Sequence, residues 1–448
     1  MRTTRKSLWR ERVAWLLILG VTALIVFANS NADRIEDSTL LRKVNTRFRA
    51  MTLIGTVSLQ RSLGVTESKL TTSERLTAIR QIEQEAGTPE EKLVAAIIAG
   101  EVLGQEPALT ALAGISAEGD TELAADIATV RTIYAHGQNT LPTAEQDRLT
   151  RRHGDFGKIA LAFGVDAGVE PRKSIEASAR RSLLAGSVIV LGMLFFGAAS
   201  IAMCVVAAVL RHRNRMSRAY TASRLTDGTF VEAFALYLVS MIGIGTLLRL
   251  FGFQTLAWNW LVLLLVPLLL MWMARRTGSV QQVLHAAGLH RGRGWWREMG
   301  AGLVGYVAGL AVIVPGLLIA CLLIRISGAG TGHPIMTPLL TGDRWQILGF
   351  YGIACIVAPL TEETMFRGIL FHHLRGRWSW AISSILISLL FAIIHPQGWA
   401  AVPALGAIAL VLAAIREWRG SLIASISAHA LNNFLSVTIA LLLLKGPQ

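Results

Sequence analysis

Long apolar runs, separated by short arginine-rich segments, make up most of the chain. A run of about 20 apolar residues is long enough to cross a bilayer as a helix. Nine such runs predict an all-α fold, a polytopic membrane helix bundle of about nine spans. The predicted spans are residues 13–28, 183–210, 229–251, 255–274, 299–325, 346–374, 379–395, 399–415 and 421–444.

Residues 33–181 form a long polar stretch between the first two spans. Its apolar residues recur at helical spacing, and no strand-like alternation competes with that period. Thr88 is predicted to cap a helix in a capping box with Glu91, and Thr143 with Gln146 shows the same signature. This stretch is therefore predicted to be an inserted helical domain that binds or shields a partner.

The distribution of charge separates the two parts of the chain. Residues 33–181 hold 19 basic and 21 acidic side chains, whereas the remainder holds 24 and 8. The basic excess lies beside the apolar spans, which is how charge is sorted across a membrane. It predicts a cytoplasmic N-terminus and an extracytoplasmic helical domain. Continuous basic surface is missing from the sequence, which argues against nucleic-acid binding.

Two adjacent carboxylates, Glu362 and Glu363, lie about halfway through the predicted span 346–374. A charged carboxylate in hydrocarbon is costly, so both need a wet cavity, a cation or a partner. Arg367 follows Glu363 by four residues, a spacing that suits an ion pair within one helix. That pair could simply anchor the helix, whereas Glu362 is left without a local partner and is predicted to be functional.

Two further pairs at the same spacing lie in later spans: Phe391 with His395, and His429 with Asn433. A lone histidine near the end of a span is usually an interfacial side chain. A histidine and an amide on one helix face are also explained by a hydrogen bond that joins two helices. At 1.5 Å per residue, however, Glu362, both histidines and Asn433 all reach the middle of the bilayer. The three spans are therefore predicted to contribute to one hydrated pocket.

The chemistry of this set suits peptide hydrolysis without a side-chain nucleophile. A carboxylate can activate water, and imidazole and amide groups can stabilise the oxyanion. Alternatively, Glu362, Glu363, His395 and His429 offer ligands that a zinc ion would accept. A proton-coupled transporter would also place glutamate and histidine at mid-membrane, and a non-catalytic scaffold or immunity protein is a third interpretation.

In this order, the motifs Glu362-Glu363-x-x-x-Arg367, Phe391-x-x-x-His395 and His429-x-x-x-Asn433 resemble those of the CPBP intramembrane proteases, the family of type II CAAX prenyl endopeptidases. The resemblance covers roughly residues 235–444. It implies an eight-helix core and hydrolysis of peptide bonds in membrane-associated or lipidated substrates. It further implies that Glu362 and His395 activate water, that Glu363, Arg367 and Phe391 support the site, and that His429 and Asn433 stabilise the oxyanion.

The sequence and the resemblance together predict four segments and a bacterial inner-membrane location. Residues 1–30 are a basic cytoplasmic tail with an uncleaved membrane anchor, although a signal peptide would begin in the same way. Residues 31–181 are the extracytoplasmic domain, for which a protein partner is expected. Residues 182–230 hold the second span and a basic loop, and residues 231–448 are the protease-like domain in contact with membrane lipid.

Overall fold

The computed structural model describes residues 5–31, 46, 49–60, 69–137, 141–166, 169–213, 219–221, 228–251, 255–327 and 342–445. Over these ranges the protein is helical and contains no β-strand, which confirms the predicted all-α membrane fold. The helices are α1 (Arg5–Asn31), α2 (49–60), α3 (Lys69–Glu85), α4 (Pro89–Leu103), α5 (Gln105–Ala113), α6 (Thr121–His136), α7 (Thr143–His153), α8 (Asp155–Leu161), α9 (Arg172–His212), α10 (Thr229–Leu250), α11 (Thr255–Thr277), α12 (Val280–Ala287), α13 (Trp295–Ser327), α14 (Arg344–Arg375), α15 (Trp380–Ile394), α16 (Val402–Arg419) and α17 (Leu422–Lys445).

Each of the nine predicted spans falls on one helix of the described structure. Seven of the helices in the described ranges, α1, α9, α10, α13, α14, α16 and α17, are long and apolar enough to cross a membrane. Helix α15 is apolar but has only 15 residues, and α11 occupies the predicted span 255–274. The protein is therefore an integral, multi-pass membrane protein.

The chain divides into two compact units. One unit comprises Met1–Ser38 and Gly192–Leu441, and the other comprises Thr39–Leu191 and Leu442–Gln448. Most of the predicted extracytoplasmic domain, residues 39–181, thus belongs to the second unit.

Two helix caps were predicted in the second unit, and one of them is confirmed. Thr88 caps α4 as expected: its hydroxyl accepts from the Glu91 amide, and the Glu91 carboxylate accepts from the Thr88 amide. The equivalent prediction for Thr143 is wrong. Pro142 takes the cap position of α7 because its extended backbone already suits it, and the Gln146 side chain donates instead to the Leu141 carbonyl.

In the unit that contains α10 to α16, arginine–glutamate pairs join several helix ends. The pairs are Arg377 with Glu11 at 2.8 Å, Arg375 with Glu417 at 3.0 Å, and Arg419 with Glu298 at 2.8 Å. At the same ends the Tyr220 hydroxyl lies 2.9 Å from His372 Nδ1, and burial raises the pKa of Tyr220 to about 12, so the phenol stays neutral. These contacts tie the end of α14, which carries the first motif, to α1 and α16, and tie α16 to α13.

Candidate active site

Helix α14 carries both glutamates and departs from regular α-helical geometry at two places. Residues Ile353–Val357 and Glu363–Leu370 form π-helical turns. Such turns widen the helix locally and are frequent at functional sites. The spacing rules for a regular helix gave no indication of them.

Pro359 explains why one carbonyl of the first π-helical turn, that of Ala354, has no backbone partner within the helix. The amide of Ala358 donates to the carbonyl of Ile353, five residues back. The same pattern would pair the next amide with the carbonyl of Ala354, but residue 359 is proline and has no N–H. The Ala354 carbonyl instead accepts from the Asn433 side chain at 2.8 Å.

Glu363 is a buried carboxylate with two partners on one of its oxygens. Its Oε1 accepts from Arg367 at 3.0 Å and lies 3.0 Å from His429 Nδ1. The side chains of Glu363 and Arg367 are both 0% exposed, and Arg367 also donates to the Ala409 carbonyl of α16 at 3.0 Å. The predicted ion pair is therefore present, and it joins α14 to α16 and α17.

Glu362 differs sharply from its neighbour. Its side chain is 24% exposed, and its nearest ion-pair partner is His429, whose Nε2 lies 3.8 Å from Glu362 Oε2. No arginine of the described chain forms a salt bridge with it. One glutamate is thus neutralised within the bundle, and the adjacent one remains open to bind water.

His395 reaches the site from the end of α15. The helix ends there because residue 396 is proline, which disfavours helical backbone at the preceding position. Its Nδ1 lies 2.6 Å from the Phe391 carbonyl, and its ring packs on the Phe391 ring at 4.2 Å. Electrostatic interactions connect His395 with Glu362, His429 and Arg367.

Phe391 is the apolar centre of the site. Its ring lies 6.2 Å from the His429 ring and 4.7 Å from the Arg367 guanidinium, in addition to its contact with His395. It is 2% exposed. Buried at this position, it separates the two imidazoles and holds both by contact.

The hydrogen bonds determine which ring nitrogens carry protons. A carbonyl or carboxylate oxygen only accepts, so Nδ1 of His395 donates to Phe391 and Nδ1 of His429 donates to Glu363. In a neutral imidazole the other nitrogen, Nε2, is then an acceptor. When neutral, each histidine therefore presents an Nε2 lone pair, and the Nε2 of His429 lies 3.8 Å from Glu362 Oε2.

Asn433 lies one turn after His429 but is bonded elsewhere. Its amide nitrogen donates to the Ala354 carbonyl, and its Oδ1 accepts from Asn432 at 3.1 Å. Asn432 in turn accepts from the Tyr306 hydroxyl at 3.3 Å. The structure thus gathers the two glutamates, Arg367 and both histidines, while Asn433 sits beside the first π turn.

Two polar groups near the site were missed from the sequence. Asn29 at the end of α1 donates to the His395 carbonyl at 3.3 Å, and Tyr306 of α13 reaches Asn432. Asn29 directly follows the predicted span 13–28. The sequence features that could have identified them are a polar side chain at the end of an apolar run, for Asn29, and a tyrosine within such a run, for Tyr306.

Of the four residues predicted to bind zinc, Glu363 is already engaged by other side chains. Glu363 Oε1 is shared by Arg367 and the Nδ1 of His429, so this carboxylate is already neutralised. Metal ligands need free, charged or lone-pair donors at short range. Within the described ranges, no three His, Cys, Asp or Glu side chains are grouped as a metal site.

Comparison with known proteins places the motifs in a family. The family model described as Rce1-like, type II CAAX prenyl endopeptidase Rce1-like, matches residues 344–435, which include all three motifs. The match confirms the resemblance to the CPBP family of intramembrane proteases over residues 344–435. Searches of curated proteins and of solved structures found no match.

Proposed function

We propose that the protein is an intramembrane endopeptidase that cleaves membrane-associated or lipidated proteins and peptides. The observation that carries this proposal is the contrast between the two adjacent carboxylates. Arg367 neutralises Glu363, whereas Glu362 is partly open and faces an imidazole Nε2. A site that served only to hold helices together would have no use for the second, open carboxylate.

In the proposed reaction, Glu362 and the Nε2 of His395 bind the attacking water. Glu362 takes a proton from that water as its oxygen bonds to the peptide carbon, and later delivers the proton to the leaving amine. Glu363 and Arg367 hold the His429 ring, whose Nδ1–H is fixed by Glu363. Phe391 keeps the two imidazoles apart.

The location and partners follow from charge and topology. We place the N-terminus in the cytoplasm of a bacterial inner membrane, because Arg375, Arg377 and Arg419 lie at helix ends that carry a basic excess. The unit containing residues 39–181 would then lie outside the cytoplasm and bind a protein partner.

Cleavage by the purified full-length protein in proteoliposomes tests the proposed function. Two reporter peptides with quenched fluorophores are used: a farnesylated CAAX-box peptide and a peptide with one membrane-spanning helix. We expect cleavage of at least one of them, with the cut bond identified by mass spectrometry. Failure to cleave both would contradict the proposal, and ion flux that follows a proton gradient would favour the transporter.

A chelator is expected to leave the rate of cleavage within about twofold of that of the untreated protein. The reason is that Arg367 neutralises the Glu363 carboxylate, which removes one of the four predicted zinc ligands. The measurement is reporter cleavage before and after dialysis against EDTA, together with the metal content of the protein. A loss of activity that stoichiometric zinc restores would show that the metal-free mechanism is wrong.

Replacing Pro359 by alanine is expected to lower kcat about tenfold without lowering stability. The new N–H can donate to the Ala354 carbonyl and so displace the Asn433 amide, which then loses the bond that orients it. We propose, from the family resemblance, that Asn433 helps to stabilise the oxyanion. Pro403→Ala is the matched control, because that proline lies in the first turn of α16, where an amide has no helical partner. Equal kcat values of Pro359→Ala and Pro403→Ala would show that the bond between Asn433 and the Ala354 carbonyl has no role in catalysis.

A further inference from the structure

Hydrolysis at Glu362 needs a hydrogen-bond donor for the carbonyl oxygen that becomes negative. The two groups assigned to this task by resemblance are constrained in the structure. His429 gives its Nδ1–H to Glu363, so its Nε2 can donate only when the ring is charged. Asn433 gives one amide hydrogen to Ala354, two turns before Glu362 along α14. A neutral donor closer to Glu362 would complete the site.

Helix α10 places a tyrosine opposite Glu362. Two ring contacts define an antiparallel register between α10 and α14: Phe230 with His372 at 4.6 Å, and Phe234 with Phe366 at 5.0 Å. One turn further along α10 is Tyr237, and one turn further back along α14 are Thr361 and Glu362. Since residues three or four apart share a helix face, this register brings Tyr237 to the glutamate.

The environment of Tyr237 agrees with that register. Its side chain is 3% exposed, and its phenol interacts with the Thr361 hydroxyl and with the charge of Glu362. The Thr361 hydroxyl donates its single hydrogen to the Val357 carbonyl at 2.8 Å. A tyrosine hydroxyl keeps its proton at neutral pH, so the buried Tyr237 phenol has a hydrogen to donate.

We propose that Tyr237 is a further catalytic residue, whose O–H donates to the carbonyl oxygen of the scissile peptide bond. This assignment rests on the proposed function. As the water oxygen bonds to the peptide carbon, the π electrons of the carbonyl move onto its oxygen, and Glu362 takes the water proton. Tyr237 turns from Thr361 to that oxygen and retains its own proton. When the carbon–nitrogen bond breaks, the carbonyl re-forms and Glu362 protonates the amine.

The first test compares Tyr237→Phe with Tyr351→Phe in proteoliposomes, using both reporter peptides. Tyr351 is a matched control because its hydroxyl also has one side-chain partner, Thr438 at 2.8 Å. We expect Tyr237→Phe to lower kcat about a hundredfold with little change in KM, as for the loss of one oxyanion donor. A kcat within threefold of that of the control variant would overturn the proposal.

The variant Thr361→Val tests whether Tyr237 acts on the substrate or only packs against α14. If the phenol acts on the substrate, removing its resting partner should leave kcat nearly unchanged. If Tyr237 only anchors α14, Thr361→Val should reproduce the defect of Tyr237→Phe, and that result would overturn the assignment. A peptide phosphonate that mimics the tetrahedral oxyanion should bind Tyr237→Phe more weakly by the same factor as the loss in kcat/KM.

The assays also distinguish this proposal from the function on which it rests. An active Tyr237→Phe with an inactive Glu362→Gln removes only the tyrosine assignment. Full activity in Glu362→Gln removes the assignment of Glu362 as the base, and failure of the unmodified protein to cleave either reporter removes the proposed function itself. Thermal unfolding of each variant in detergent shows whether the loss of activity accompanies a loss of fold, because a phenylalanine at position 237 keeps the packing of the ring.

Discussion

Glu362→Gln is expected to reduce kcat for both reporter peptides by about a thousandfold or more, because a general base commonly supplies 10²- to 10⁴-fold. Glutamine has nearly the same shape as glutamate but cannot accept the proton of the water. The side chain is 24% exposed and has no arginine partner among the described residues, so its replacement should cost little stability. Cleavage is followed by fluorescence, and stability by thermal unfolding in detergent.

Glu232→Gln is the matched control for this change. Glu232 lies in the first turn of α10 and pairs with Arg276 at 2.6 Å. The substitution is chemically identical, and we expect it to leave kcat within about twofold. If Glu362→Gln cleaves as well as Glu232→Gln, then Glu362 is not the base and the assignment of the two adjacent glutamates must be reversed or abandoned.

The helices could be predicted because the membrane imposes a length on each apolar run. Helix α13, for example, is one uninterrupted apolar segment, and its bounds Trp295–Ser327 enclose the predicted span 299–325. The Glu363–Arg367 pair was predictable for a similar local reason, since a four-residue spacing brings two side chains together on one helix. Both predictions depend only on neighbours in sequence.

The rest of the site depends on contacts between distant parts of the chain. Tyr237 becomes opposed to Glu362 through the packing of α10 on α14, and no spacing rule specifies that register. Asn29 belongs to α1, yet it donates to the backbone of His395. The carbonyl of Ala354 in the first π turn of α14 is bonded to Asn433 of α17, and no local spacing specifies that partner. Tertiary packing decides all three.

The second large effect concerns stability rather than chemistry. Arg367→Met is expected to lower the free energy of unfolding by about 3 to 5 kcal/mol, because it leaves the Glu363 carboxylate buried without its cation. Both side chains are 0% exposed, so water cannot replace the lost partner. Arg276→Met, which breaks the partly exposed pair with Glu232, should cost less than about 1 kcal/mol.

The double variant Glu363→Gln with Arg367→Met distinguishes a buried charge from a loss of packing. Glutamine removes the uncompensated charge while its Oε1 can still accept from His429 Nδ1, so the double variant should be more stable than Arg367→Met alone. Unfolding by denaturant in detergent micelles measures the three free energies. Equal stabilities of the single and double variants would mean that Arg367 acts through its bond to the Ala409 carbonyl and its contact with Phe391, rather than by neutralising Glu363.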